Sequence, residues 1–135
     1  MNNQQLAENF YKAFDSKQPE LLDDVLTEDW KALPAVPGNL GGLEGQKGTV
    51  YFLNSVFSNF SYKVLEIIDS GTETVVARAQ LSGIQVGEFL GVPPTNRKII
   101  MDTIEVHKVK DGKIYTTYHI EDFFGAYMQM TGNNP

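Results

Sequence analysis

The first part of the chain repeats its apolar positions with the period of a helix. Leu6, Phe10 and Phe14 recur every four residues, which is the stripe of an amphipathic helix. This spacing predicts a first helix that ends near Asp15. Pro19 follows, and its missing N–H costs nothing in the first turn of a helix, so a short second helix is predicted over "PELLDDVL".

The middle of the chain is predicted to be mostly irregular before a third helix begins. Residues 27–32 are expected to form a brief extended segment. The following run, "LPAVPGNLGGLEGQKG" over residues 33–48, contains too many Gly and Pro for regular structure and predicts a loop. In "TVYFLNSVFSNF", Val50, Leu53 and Phe57 stand three and four residues apart, which predicts a helix.

After Ser61 the period of the apolar positions changes to two. Four segments rich in Val, Ile, Thr, Tyr and Phe are separated by turn residues, which predicts four strands in an antiparallel meander. The segments are "YKVLEIID", "TETVVARAQLSGIQVGEFL", "RKIIMDTIEVHKVK" and "KIYTTYHIE". A short helix is predicted over residues 122–130, with Asp122 able to cap it. The order of elements predicts an α+β fold, in one domain over residues 1–135.

Composition and charge exclude several classes of function. The 17 acidic and 11 basic residues give a net charge of -6, the wrong sign for a nucleic-acid partner. The chain has no Cys and only two His, so neither a thiolate site nor a dedicated zinc site is expected. No apolar run approaches the roughly 20 residues of a membrane span, and the first residues lack a signal-peptide pattern. We therefore expect a cytoplasmic protein with no membrane partner.

Two motifs lie in the last part of the chain. The first, "GIQVGEFLGVPPT" over residues 83–95, has a strand of small residues followed by Gly-Glu-Phe, Gly and Pro-Pro-Thr. The second, "DGKIYTTYHIEDFFGAYMQM", has Asp-Gly-Lys-Ile, an aromatic residue, an Asp four residues later, and an apolar helix with a Gln. Together they resemble the SnoaL-like polyketide cyclase and ester cyclase branch of the nuclear transport factor 2-like superfamily.

The resemblance implies a fold and a kind of ligand. The fold is a cone, in which N-terminal helices pack on a curved antiparallel sheet around an apolar cavity, with a short C-terminal helix. The ligand is a hydrophobic small molecule, and the chemistry uses no metal and no cofactor. Relatives with this fold commonly pair through the sheet, so a homodimer is expected.

The resemblance also implies a catalytic residue. The cyclases use an Asp at the position of Asp122 as general acid/base in an intramolecular aldol ring closure. Burial would raise the pKa of such a carboxyl toward the working pH. Strand parity places Asp122 on the side of Tyr118 and Ile120, whereas His119 and Glu121 take the opposite, outer side. Asp is also a favoured helix N-cap, which explains the same residue structurally.

The chain departs from the cyclase pattern at two positions. Gln85 stands where His is frequent, and Tyr118 stands where Trp often precedes the Asp. A neutral amide orients a carbonyl but does not titrate. We expect Gln85 and Tyr118 to position ligand oxygens and Trp30 to line the cavity or the core. The departures leave open whether the protein is an enzyme.

The turn in "VKDGKI" has two plausible geometries, and they place different groups beside Asp122. A two-residue turn at Asp111-Gly112 brings His107 and Glu105 to its face, where they would assist proton transfer and contact the ligand. A three-residue loop slips the register by one and brings Asp102 there instead. The first geometry is favoured.

Three functions follow from these patterns. The first is a cofactor-free enzyme that binds a hydrophobic carbonyl compound and closes a ring by an aldol-type reaction. The second is an isomerase similar to ketosteroid isomerase, in which Glu105 would help to hold an enolate. The third is a non-catalytic module that uses the same cavity for binding or assembly.

Overall fold

The computed structural model describes residues 1–133. The chain starts with two helical segments, then forms a sheet that is interrupted by one long helix, and ends on a short helix. In chain order the elements are α1 (Asn3–Asp15), a 3₁₀ helix (Pro19–Asp24), β1 (Leu26–Leu33), α2 (Gly42–Val56), β2 (Phe57–Asp69), β3 (Thr74–Gln85), β4 (Lys98–Lys110), β5 (Lys113–Glu121) and α3 (Phe123–Met130).

The sheet has five strands in the order β1-β5-β4-β3-β2. Strands β2 to β5 form the predicted antiparallel meander. Strand β1 adds to the edge parallel to β5, which makes the sheet mixed rather than purely antiparallel. The sequence predicts residues 27–32 as extended but does not predict that they join the sheet, because the buried residues Leu26 and Trp30 stand four apart and do not alternate.

The long helix α2 begins earlier than its sequence predicts. It starts at Gly42, inside the predicted loop, and ends at Val56, so Phe57, which was expected in the helix, begins β2 instead. One glycine of the helix, Gly45, lies against Asn39, and a Cβ there would overlap the Asn39 side chain. The Asn39 amide in turn donates to the Thr49 hydroxyl at 3.0 Å. Glycine is therefore present to let the preceding loop pack on the helix.

The core lies between α1 and the concave side of the sheet. The predicted stripe of Leu6, Phe10 and Phe14 is buried as expected. The Phe14 ring meets the Tyr62 ring of β2 edge-on at 5.7 Å between centroids. Each such aromatic side chain contributes about 1.5–3 kcal/mol on burial, so this face of α1 fixes how the helix sits on the sheet.

The hairpin between β4 and β5 has the favoured two-residue turn. Asp111 and Gly112 have φ values of 52° and 77°, as a type I′ turn requires, and Lys110 pairs with Lys113. The pairing then shifts by one residue, which leaves Tyr115 as a bulge in β5. Every later residue of β5 is consequently turned to the opposite face.

The bulge decides which residues of β5 face inward. Glu105 pairs with His119 and not with Tyr118. Tyr118 and Ile120 point away from the core and are 48% and 70% exposed. The prediction that the Tyr118 side of β5 faces the interior is therefore wrong. The three-residue turn is absent, but the bulge gives the facing that was expected from it, with Asp102 rather than Glu105 beside Asp122. The Asp122 N–H donates to the Asp102 carbonyl oxygen at 2.9 Å, and the Asp102 carboxylate accepts from Gln80 on the exposed face at 2.9 Å.

The outer face of the sheet carries exposed apolar side chains. Ile100, Ile104, Tyr118 and Ile120 are each at least 41% exposed there. Homodimer formation through the sheet stays a prediction. Among residues 1–133, the structure has no helix that is long and apolar enough to cross a membrane.

The packing of β3 on β2 gives a test that uses two Gly to Ala substitutions. A Cβ at Gly83 would lie 2.6 Å from the Cβ of Phe57 and 3.1 Å from the Ser58 carbonyl oxygen. Gly83→Ala should therefore lower the free energy of unfolding by about 1–3 kcal/mol, measured by urea denaturation. The control is Gly48→Ala in α2, where a Cβ meets nothing within 4 Å. This substitution should raise the free energy of unfolding by about 0.5–1 kcal/mol, because Ala favours a helix more than Gly does. Equal effects at the two sites would contradict this packing.

Candidate functional site

A cavity of about 770 Å³ lies between the concave face of the sheet, α1 and the first half of α2. Small-molecule sites have volumes of about 300–1,000 Å³. Aromatic and aliphatic side chains make up most of its wall, including Phe10, Phe14, Trp30, Tyr62, Leu81, Phe89, Met101 and Phe123. Residues 34–40 border it on one side. The cavity therefore suits a hydrophobic ligand of drug-like size.

Polar side chains gather on one part of this wall. They alternate along two paired strands, Thr103 and Glu105 on β4 and Thr117, His119 and Glu121 on β5. Alternate residues of a strand share a face, and the pairs Glu105–His119 and Thr103–Glu121 lie directly opposite each other. Three titratable groups, Glu105, His119 and Glu121, thus stand together in a mostly apolar cavity.

The Glu105 carboxyl is the most deeply buried of these groups, with 6% exposure. Burial, and next the negative charge of Glu121, raise its pKa from 4.5 to about 7. Hydrogen bonds from Tyr11 and Tyr62 act in the opposite direction, and the Tyr62 hydroxyl donates to Oε1 at 3.1 Å. A carboxyl that titrates near neutral pH is suited to both accept and donate a proton there.

His119 links β5 to the loop beside the cavity. Its Nδ1 lies 2.7 and 2.9 Å from the two Glu121 carboxylate oxygens, and its Nε2 lies 2.6 Å from the Pro34 carbonyl oxygen. The hydrogen bond to Glu121 is the main reason that the pKa of His119 is raised to about 9. At neutral pH His119 is accordingly an imidazolium that donates to Glu121 and to Pro34.

His107 lies behind the cavity wall. It is fully buried, and burial lowers its pKa to about 3, so the ring is neutral at physiological pH. Its Nε2 lies 2.9 Å from the Tyr11 hydroxyl and its Nδ1 lies 2.8 Å from the Thr117 hydroxyl. Trp30 Nε1–H donates to that same Thr117 oxygen at 3.0 Å.

Of the two roles that the sequence predicts for Asp122, the structure shows the helix N-cap and not the buried carboxylate. Its side chain is exposed, its Oδ1 accepts from the Gly125 N–H at 2.9 Å, and it does not contribute to the cavity wall. The expectation of a buried Asp122 carboxylate is therefore wrong. After the bulge at Tyr115, the inward positions of β5 are odd-numbered, and Asp122 becomes the N-cap of α3.

Gln85 and Tyr118 also lie away from the cavity wall. The buried Gln85 amide donates to carbonyls of the loop that follows β3, Gly87 at 3.1 Å and Val92 at 3.0 Å, and its oxygen accepts from Thr95 at 2.7 Å. These bonds use both ends of the amide to hold the loop. Of the residues predicted to contact ligand, Glu105 and Trp30 line the cavity and His107 stands directly behind it.

Sequence reasoning assigned His119 and Glu121 to the outer face and singled out neither Tyr62 nor Thr103. All four line the cavity. One signal was available, because the positions 117, 119 and 121 are polar whereas Tyr118 and Ile120 are apolar. That contrast indicates a polar wall on one face only, and the location of the bulge decides which face it is.

No group of three or more His, Asp or Glu side chains within residues 1–133 is arranged to hold a metal ion. The polar wall instead combines a buried carboxyl with an imidazolium and a carboxylate. This set of groups can take up, hold and return protons.

The pH dependence of stability tests the His119 ion pair. A raised pKa in the folded state means that the pair stabilises fully below pH 6.5 and loses its contribution as the pH rises through about 9. The free energy of unfolding of the natural protein, relative to His119→Gln, should fall across this range and then level off. Urea denaturation at a series of pH values measures it. Parallel pH profiles for the two proteins would show that the pair is not formed.

Comparison with known proteins agrees with this architecture. TsrD from Streptomyces laurentii is 26% identical, with a TM-score of 0.87 over 96% of this chain and 97% of its own. IdmH from Streptomyces antibioticus, described as a candidate polyketide cyclase, is 25% identical, with a TM-score of 0.81 over 97% and 99%. AclR from Streptomyces galilaeus, described as a candidate hydroxylase, is 16% identical with a TM-score of 0.78 over 98% and 85%, and shows the fold alone.

No curated protein sequence matches the chain. The family model of SnoaL-like polyketide cyclases, in contrast, matches residues 4–130. This match spans all the helices and strands described above except the first residue of α1. The chain therefore belongs to the SnoaL-like polyketide cyclase family of the nuclear transport factor 2-like superfamily.

Proposed function

We propose that the protein is an enzyme that binds a neutral, hydrophobic carbonyl compound in the cavity and uses Glu105 to transfer protons in an aldol-type ring closure. The observation that carries the proposal is the position of the Glu105 carboxyl. It is buried in the wall of a mostly apolar cavity, its pKa is raised to about 7, and the Tyr62 hydroxyl donates to it. As the family resemblance implies, the reaction needs neither metal nor cofactor.

The chemistry follows from the charge states of the polar wall. Ionised Glu105 takes a proton from a carbon between two carbonyl groups, and the electrons of that C–H bond form an enolate. The enolate carbon attacks a second carbonyl of the same molecule, so that one C–C bond forms and the carbonyl oxygen becomes an alkoxide. Protonated Glu105 returns the proton to this oxygen. The positive charge of His119 stabilises the negative charge that develops on oxygen.

The charges that line the cavity support a neutral ligand. Glu44, Glu105, Glu121 and His119 are the ionisable acids and bases among the lining residues, apart from Tyr62, and in the described chain the lining has neither Lys nor Arg. A ligand carboxylate or phosphate would meet three carboxyl groups and a single cation, His119, whose charge is already paired with Glu121, and this costs energy in a poorly hydrated site. Neutral ring compounds should bind better than the corresponding acids.

An isomerase is the second candidate function. A single carboxyl that both removes and returns a proton suffices to move a double bond along a ligand, and Glu105 has that property through its raised pKa. The two reactions differ in their products, because isomerisation makes no new C–C bond.

Replacement of Glu105 tests the proposal. Neutral polycyclic aromatic esters and steroids, each with its free acid, are first compared by the shift in melting temperature that they cause, and compounds that bind are then assayed for conversion. Glu105→Gln should lower turnover by about 10²–10⁴-fold, as loss of a general base does. Ligand binding should persist, because the amide has nearly the same shape.

The matched control is Asp122→Asn, which changes a second carboxyl in the same way. Asn caps a helix about as well as Asp, so turnover and melting temperature should be close to those of the natural protein. Full activity of Glu105→Gln would refute the role of Glu105. Loss of activity in Asp122→Asn with the fold intact would support the original assignment of Asp122 instead.

A further inference from the structure

A series of buried, hydrogen-bonded side chains starts in the cavity wall at Trp30 and continues behind it to Tyr11. Trp30, Thr117, His107 and Tyr11 follow one another, with hydrogen bonds of 3.0, 2.8 and 2.9 Å. Each of the four is at most 4% exposed. None of these four side chains takes part directly in the ring closure proposed above. Their hydrogen bonds can still affect Glu105 through Tyr11.

The direction of each hydrogen bond can be assigned from the Trp30 end. An indole N–H only donates, so the Thr117 oxygen accepts it. The Thr117 hydroxyl has one hydrogen of its own, and a buried hydroxyl hydrogen needs an acceptor. Within the described chain its other hydrogen-bond partner is Nδ1 of His107. Nδ1 therefore accepts and carries no proton.

The remaining proton of His107 is then fixed at Nε2. No charged group faces the ring from the neighbouring elements, which present Phe10 and Tyr11 from α1, Val75 from β3 and Thr117 from β5. The nearest acid on its own strand is Glu105, two residues away. The ring is neutral, so Nε2–H donates to the Tyr11 oxygen. The Tyr11 hydrogen is then free for another acceptor, and Glu105 is the carboxyl whose charge acts most strongly on Tyr11.

A second, shorter arm ends at the same carboxyl. The Tyr62 hydroxyl donates to Glu105 at 3.1 Å and lies 2.8 Å from the Thr103 hydroxyl. Because the Tyr62 hydrogen is used on Glu105, Thr103 donates to the Tyr62 oxygen. The Tyr62 hydroxyl of β2 thus donates to the carboxyl, and the Tyr62 ring packs edge-on against the Tyr11 ring of α1 at 5.0 Å between centroids.

We propose that His107 is a positioning residue: Thr117 and Trp30 hold it as the Nε2–H tautomer, and in that form it makes Tyr11 a hydrogen-bond donor to the Glu105 carboxylate. The inference rests on the proposed role of Glu105 as the base. In the opposite tautomer, Nε2 would accept the Tyr11 hydrogen and remove that donor from Glu105. The position of the proton on the His107 ring thus sets how strongly Glu105 is hydrogen-bonded and at what pH it ionises.

Nitrogen-15 NMR of the histidine rings tests the tautomer directly. The chain has two His, so assignment is simple. His107 should show an unprotonated Nδ1 and a protonated Nε2 from about pH 5 to about pH 9, whereas both nitrogens of His119 should be protonated at neutral pH. A proton on Nδ1 of His107, or titration of the ring near 6.5, would overturn the proposal.

Thr117→Val tests whether the hydroxyl selects the tautomer. It removes the donor to Nδ1 while keeping the shape of the side chain, so a mixture of tautomers should appear. Carbon-13 NMR of labelled Glu then reads the consequence, and the apparent pKa of Glu105 should rise, because Tyr11 donates to it in only part of the molecules. A changed tautomer with an unchanged Glu105 titration would refute the link.

Tyr11→Phe and Tyr62→Phe form a matched pair. Each removes one donor to the carboxylate and should raise the apparent pKa of Glu105 by about one pH unit, with the acidic limb of kcat/KM moving equally. Only Tyr11→Phe should also change the nitrogen shifts of His107. Thermal unfolding checks that both proteins fold. If Tyr11→Phe does not fold, the Glu105 titration in Thr117→Val decides the proposal instead.

These measurements separate the inference from the proposed function. The NMR titrations need no substrate, so a failure of Glu105→Gln to reduce turnover would end the catalytic role of Glu105 without changing the tautomer result. An unchanged Glu105 titration in Tyr11→Phe would refute the positioning role even if Glu105 proved to be the base.

Discussion

The burial of one carboxyl, Glu105, against tyrosine hydroxyls is the constraint on which the site depends. A buried carboxylate is costly unless hydrogen bonds compensate it, and here the Tyr62 hydroxyl of β2 donates to it at 3.1 Å, while Tyr11 of α1 packs against the Tyr62 ring. Burial also raises the pKa of both tyrosines well above the ordinary value, so they remain donors at physiological pH. The packing of α1 on the sheet therefore determines not only stability but also the pH at which Glu105 ionises.

The bulge at Tyr115 is the second structural feature that the site requires. It turns Thr117, His119 and Glu121 toward the cavity, opposite Glu105 and Thr103. Without it, Tyr118 and Ile120 would face inward and the wall would be apolar. One inserted residue thus changes the cavity from a plain hydrophobic pocket into one with a cluster of titratable groups.

The sequence predicts the elements of this fold better than it predicts the site. Helices α1 and α3, four of the strands and the turn at Asp111-Gly112 follow from periodicity and turn chemistry. The start of α2 could not be predicted, because its glycines serve loop packing and resemble a loop in composition. The site was predicted in part, since Glu105 and His107 share a face of β4 as expected. The inward and outward faces of β5 beyond Tyr115 were predicted the wrong way round. Side chains of a strand alternate between two faces, a single bulge reverses that alternation, and no residue in "KIYTTYHIE" indicates that a bulge is present.

The state of the Glu105 carboxyl in the natural protein is the most direct test of this account. Carbon-13 NMR of labelled Glu, followed across a pH titration without any ligand, measures the midpoint for this residue, which Glu105→Gln identifies by the loss of its signal. The account predicts a midpoint of about 7. A midpoint near 4.5, the ordinary value, would mean that the carboxyl is solvated and ionised at neutral pH, and the proposal of a buried base would be contradicted.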